Sequence, residues 1–100
     1  MSGPSKEPEL LYVLAFQSTH DALSAQKKLA VYNPFMIPTP SSIAAGCGFS
    51  LQFFAHDEEH ATEIMGEAQL DEEKAALYLS DADGCHHIRG FIEADKTTTE

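Results

Sequence analysis

The sequence contains no apolar run of the length needed to cross a bilayer, and its start, M-S-G-P-S-K-E-P-E, lacks the apolar centre of a secretory signal. A cytoplasmic protein without membrane contact is expected on both counts. Cysteine is sparse: Cys47 and Cys85 are too few for a disulfide scaffold, and in a reducing compartment they serve as free thiols or metal ligands. There is no C-x-x-C pair, no glycine-rich phosphate loop and no G-x-S-x-G elbow, so nucleotide binding and hydrolase chemistry have no support. Basic residues are also few, six against sixteen acids.

The resulting net charge of -10 is distributed unevenly. Residues 1–50 balance Lys6, Lys27 and Lys28 against Glu7, Glu9 and Asp21, so the whole excess falls in residues 51–100. An acidic surface repels phosphate backbones and anionic headgroups, which disfavours nucleic acid and membrane and favours a protein partner with a basic docking surface. The same acids also keep a small domain in solution.

A chain of 100 residues makes one domain, here expected over residues 10–93 between a flexible leader, 1–9, and a disordered tail, 94–100. Leu10–Phe16 is a continuous apolar run of strand formers. Ser18, with Asp21 three residues on, marks a helix start, and Ala22, Ala25, Gln26 and Leu29 form an inner stripe up to Val31 before Asn33 and Pro34. Phe35–Pro38 reads as a second strand and Phe49–Ala55 as a third, with one helical turn expected at Ser42–Ala45 between them. Asp57, Glu58 and Glu59 suit a second helix start. The stripe Ala61, Ile64, Met65 and Ala68 continues nearly in phase through Ala75, Ala76 and Leu79, which predicts a long or two-piece helix, Asp57–Gln69 and Asp71–Ser80. The competing reading makes Ala75–Ser80 a strand, which Leu77, Tyr78 and Leu79 would suit. Asp81–Gly84 is a turn, and His86–Ile92 is the fourth strand.

This order, βαββαβ, is that of an α+β ferredoxin-like two-layer sandwich, a four-stranded antiparallel sheet with two helices on one face. Such a sheet places the end of strand 1, the start of helix 1, the loop after strand 2 and the start of strand 4 at one edge. Ser18, Thr19, His20, Cys47, Cys85 and His86 are expected there, with His56 and His60 at the opposite edge.

Cys47 stands between Gly46 and Gly48, residues that offer no side-chain cover over its sulfur. A tight turn with an inert, half-buried thiol reads the same residues. The segments F-Q-S-T-H-D-A-L at Phe16–Leu23, I-P-T-P at Ile37–Pro40 and C-G-F-S-L at Cys47–Leu51 resemble the putative selenium/sulfur carrier protein-like family. The resemblance covers 11–54 well and 84–92 loosely. It implies the same ferredoxin-like fold, a non-enzymatic role and a persulfide or selenopersulfide carried on Cys47 between partner enzymes. The family pattern prefers arginine after the second proline, where this chain has Ser41 and so lacks a cation that could help hold a thiolate or anionic cargo.

The shared edge supplies chemistry for that role. The unpaired N–H groups at Ser18 and Thr19 and the positive end of the helix favour an anionic sulfur, His20 is a candidate thiolate partner, and Cys85 is a candidate resolving thiol. No cofactor is called for. Two alternatives use the same residues: a small binding or regulatory module whose sheet can pair into a homodimer, and a thiolate/imidazole metal site drawn from Cys47, Cys85, His86, His87 and His20. His56–His60, H-D-E-E-H, matches an inverted zinc-peptidase pattern, but a short chain has scarcely room for the further ligand and cleft.

Overall fold

The computed structural model describes residues 9–91, so the expected leader and tail lie almost wholly outside the described residues. Five strands and two helices follow one another: β1 (Leu10–Phe16), α1 (Thr19–Lys28), β2 (Phe35–Pro38), β3 (Phe49–Ala55), α2 (Glu58–Glu67), β4 (Ala75–Asp81) and β5 (Gly84–Gly90). The strands form one antiparallel sheet in the order β2-β3-β1-β4-β5. Among the described residues, no helix is long and apolar enough to cross a membrane.

β1 is central because it is apolar on both faces. Tyr12, Leu14 and Phe16 point towards the helices, while Val13 and Ala15 point to the opposite face, and none is more than 1% exposed. Leu14 faces Leu51 of β3 on one side and Leu77 of β4 on the other. Ala22, Ala25 and Leu29 from α1 and Ala61, Ile64 and Met65 from α2 close the same cluster, so both helices cover one face. Ile43 and Phe91 pack on the second face.

Ser18 caps α1, its Oγ accepting from Asp21 N–H at 3.2 Å. The helix ends at Lys28, three residues before the expected end. A short 3-10 turn at Ala30–Tyr32 follows, and left-handed Asn33 closes it. Tyr32 then ties this corner to α2 by donating to Glu67 Oε1 at 2.6 Å.

Three expectations are corrected. The sheet has five strands rather than four, because Ala75–Asp81 is a strand and not the second piece of a helix. The helical phase of Ala75, Ala76 and Leu79 is outweighed by the open hydrogen-bonding edge of β1, which β4 fills in full register from Leu11↔Ser80 to Phe16↔Ala75. Left-handed Gln69 and the turn in which Asp71 O accepts from Lys74 N and Ala75 N bring the chain from α2 into that strand. The last strand consequently runs over Gly84–Gly90 instead of His86–Ile92, and Phe91, at φ +53°, turns the chain out of it. Finally, the loop after β2 turns at Pro40, whose carbonyl accepts from Ile43 N–H at 2.9 Å, rather than through a helical turn at Ser42–Ala45.

Gly90 shows how tightly β5 closes on β4. Its φ is +103°, and a Cβ there would collide with the backbone of Ala75 and Ala76. Gly90→Ala should therefore destabilise the fold by about 2 kcal/mol or more, read as a lowered urea midpoint with unchanged slope. At the other end of the hairpin, His86 Nε2 lies 3.0 Å from Asp81 Oδ1 and, with the Asp83 N–H bond, holds the Asp81 carboxyl below its usual range. A carboxylate held low in the folded state adds stability above its unfolded pKa and loses it as pH falls through the folded value. His86→Ala should raise the Asp81 midpoint in an NMR titration.

Candidate functional site

The loop between β2 and β3 is pinned to the end of β1, and this sets where Cys47 sits. Cys47 N–H donates to Phe16 O at 3.0 Å, and Gly46 N–H donates to Gln17 Oε1 at 2.9 Å. A Cβ at Gly46 would strike the carbonyl of Gln17, so glycine is required here for close approach of two backbones. Gly48, by contrast, borders open space.

Thr39, between Pro38 and Pro40, locks the loop from its other side. Its N–H donates to Gly48 O at 2.9 Å and its hydroxyl donates to Cys47 O at 3.0 Å. With that proton committed, the 2.7 Å contact to Ser50 Oγ must be a bond donated by Ser50. Ser50 is fully buried, and Thr39 satisfies it.

The thiol itself turns inward. Cys47 is 3% exposed and belongs to the cluster on the helix side of the sheet. The expected uncovered sulfur is thus corrected: the flanking glycines expose their own backbone, while the cysteine side chain points under the loop. Its surroundings are nevertheless not purely hydrocarbon. Phe49 N–H donates to Sγ at 3.3 Å, and Thr19 Oγ1, on the first residue of α1, lies 3.6 Å from it.

The other expected residues divide sharply. Ser18 and Thr19 do meet the loop's end of the sheet, but Ser18 Oγ is engaged in capping α1. His20 is exposed, and among the described residues the sulfur's hydrogen-bonding partners are Thr19 and Phe49. Cys85 and His86 lie at the opposite end, because Cys85 pairs with Ser80 and Ser80 with Leu11. Leu11 and Phe16 are five residue steps apart on β1, about 17 Å along the sheet. The cause is the additional strand: β5 runs antiparallel to the strand expected to carry these residues on that side. A disulfide between Cys47 and Cys85 within one chain is out of reach in this fold, and so is a metal site that joins them.

His87 Nε2 bonds to Gly90 O at 3.1 Å, which occupies it within its own hairpin. His56 and His60 do stand at the far end, with rings stacked 4.9 Å apart. His60 Nδ1 accepts from His56 N–H, and Asp57 Oδ1 accepts from His60 N–H, so this motif builds the start of α2. Among the described residues, no group of three or more histidine, cysteine or acidic side chains is placed to hold a metal ion. Sequence reasoning missed Gln17, Thr39 and Ser50, although a threonine fixed between two prolines was a visible sign of a constrained loop.

Neither a curated protein nor a solved structure matches the chain. A family model does, and it spans residues 11–76, from β1 through the Cys47 loop and α2 to the first residues of β4. The chain therefore belongs to the family described as "Putative Se/S carrier protein-like".

Proposed function

We propose that this protein is a non-catalytic carrier that holds sulfur or selenium on Cys47 as a persulfide or selenopersulfide and passes it between partner enzymes. The observation that supports it best is the sulfur's setting: a thiol beside the first residue of α1, receiving a backbone N–H, in a chain of the carrier-like family. The strand order β2-β3-β1-β4 with both helices on one face supports reading the scaffold as a ferredoxin-like sandwich extended by one strand.

Loading on this reading is a thiol exchange. The Cys47 thiolate attacks the outer sulfur of a donor persulfide, a new S–S bond forms as the donor's S–S bond breaks, and the donor departs as a thiolate. The proton on the outer sulfur travels with it, and no external oxidant is needed. Phe49 N–H, the Thr19 hydroxyl and the positive end of α1 are the groups that would steady negative charge on the inner sulfur. Release to an acceptor thiol is the same exchange in reverse.

With Cys47 only 3% exposed, its sulfur cannot be attacked or attack in place, so the loop Thr39–Gly48 must swing out first. The exposed acids of α2, Glu58, Glu59, Glu63 and Glu67, would attract a partner with a basic docking surface. Two unpaired cysteines suit a reducing, cytoplasmic compartment. A second reading, a binding module that pairs into a homodimer with Cys47 structural, is favoured by Phe35 and Phe54, which are 62% and 51% exposed on the helix-free face.

Intact mass spectrometry after incubation with a cysteine desulfurase and cysteine decides between them. Carriage predicts a gain of one sulfur that disappears in Cys47→Ser and persists in Cys85→Ser; no gain, or a gain only on Cys85, refutes it. Loop opening makes a separate prediction for iodoacetamide. Thr39→Val leaves the Ser50 hydroxyl and Cys47 carbonyl without a partner, a penalty of about 1–3 kcal/mol. Alkylation of Cys47 should then quicken roughly ten- to hundredfold. In Thr39→Val with Ser50→Ala the gain should be smaller, since the Ser50 hydroxyl no longer needs a partner.

A further inference from the structure

The strongest unassigned feature is a cleft of about 300 Å³ between α1 and the connection from α2 to β4. Asp21, Ser24 and Lys28 form one wall, spaced three and four residues apart on a single face of α1. Gln69, Asp71 and Lys74 form the other, and Phe16, Leu70 and Ala75 supply an apolar lining. Cys47 does not line it, although Phe16 belongs to both places: its carbonyl anchors Cys47, and the cleft borders on it.

Two features distinguish this cleft from an ordinary charged groove. Its charges are of both signs, two carboxylates and two ammonium groups, and yet none of the four takes part in the ion pairs formed between described residues, which are His86–Asp81 and Arg89–Glu72. Among the four, no ammonium lies within 4 Å of a carboxylate oxygen. The second wall is also rigid. Asp71 Oδ1 accepts from Glu73 N–H at 2.9 Å, Asp71 O accepts from Lys74 N and Ala75 N, and Gln17 N–H holds Lys74 O at 3.1 Å. A pre-set wall lowers the ordering cost of binding.

We propose that this cleft binds a free α-amino acid, its ammonium group taken by Asp21 and Asp71 and its carboxylate by Lys28 and Lys74. Size and charge both select this class. The volume is at the lower end of ligand sites, about 300–1,000 Å³, which is too small for a nucleotide or a folded partner. A simple anion would leave the two aspartates unmatched, and a simple cation the two lysines. A molecule with one charge of each sign satisfies both sets, and the apolar lining accepts a short side chain. Because the lysines are exposed, screening by water keeps the affinity in the millimolar range. The site stands independently of the carrier reading, since no step of sulfur transfer enters the argument.

The test is a titration of the full chain with L-serine, followed by amide chemical shifts. Ser24, Leu70 and Lys74 should shift saturably, while acetate and methylammonium, each with a single charge, should produce shifts at least about tenfold weaker at equal concentration. Asp21→Asn and Lys28→Met should each raise the half-saturation concentration by about tenfold, with the spectrum elsewhere unchanged. Cys47→Ser should bind L-serine as the parent does, which keeps the outcome apart from that of persulfide loading. No saturation below about 50 mM, an equal response to acetate alone, or unchanged binding by both charge variants would overturn the assignment.

Discussion

The constraint on which the rest depends is that β1 is buried on both faces and paired along both edges. A strand in that position can satisfy its backbone groups only through neighbours on either side, so β3 and β4 are obligatory rather than optional partners. The consequence reaches beyond the sheet. Where β1 ends, its last carbonyl, at Phe16, is free to bind Cys47 N–H, and the next residue, Gln17, receives Gly46 and donates to Lys74. The thiol loop and the turn into β4 are thus fastened to adjacent residues at one end of the central strand.

Much of this was legible in the residues. The unbroken apolar run of β1, the Ser18 cap, the strand spans of Phe35–Pro38 and Phe49–Ala55 and the acidic start of α2 each follow from a local signal, and each stands in the structure. What failed was non-local. Ala75–Leu79 carries a helical phase and strand-forming residues together, and only the vacant edge of β1, 59 residues or more away in sequence, decides between them. From that one substitution of strand for helix came the displacement of Cys85 and His86 to the far end, since adding a strand reverses the direction of the next.

The site was half legible for a related reason. Spacing placed Cys47 near Thr19 through topology, and the two do meet at 3.6 Å. Whether the side chain would face outward could not be read from its glycine neighbours, because those glycines serve different ends: Gly46 allows two backbones to touch, and Gly48 borders open space. Burial was decided by Phe16 O and by Thr39, which grip the cysteine backbone from both sides and leave its side chain the interior.

The buried hydroxyl of Ser50 gives this loop a particular character. Its partner among the described residues, Thr39, also holds the carbonyl of Cys47, so moving Thr39 would strand two polar groups away from water. Small excursions are therefore penalised as heavily as large ones, and intermediate positions have nothing to stabilise them. Access to the sulfur should behave as a latch that is either shut or released.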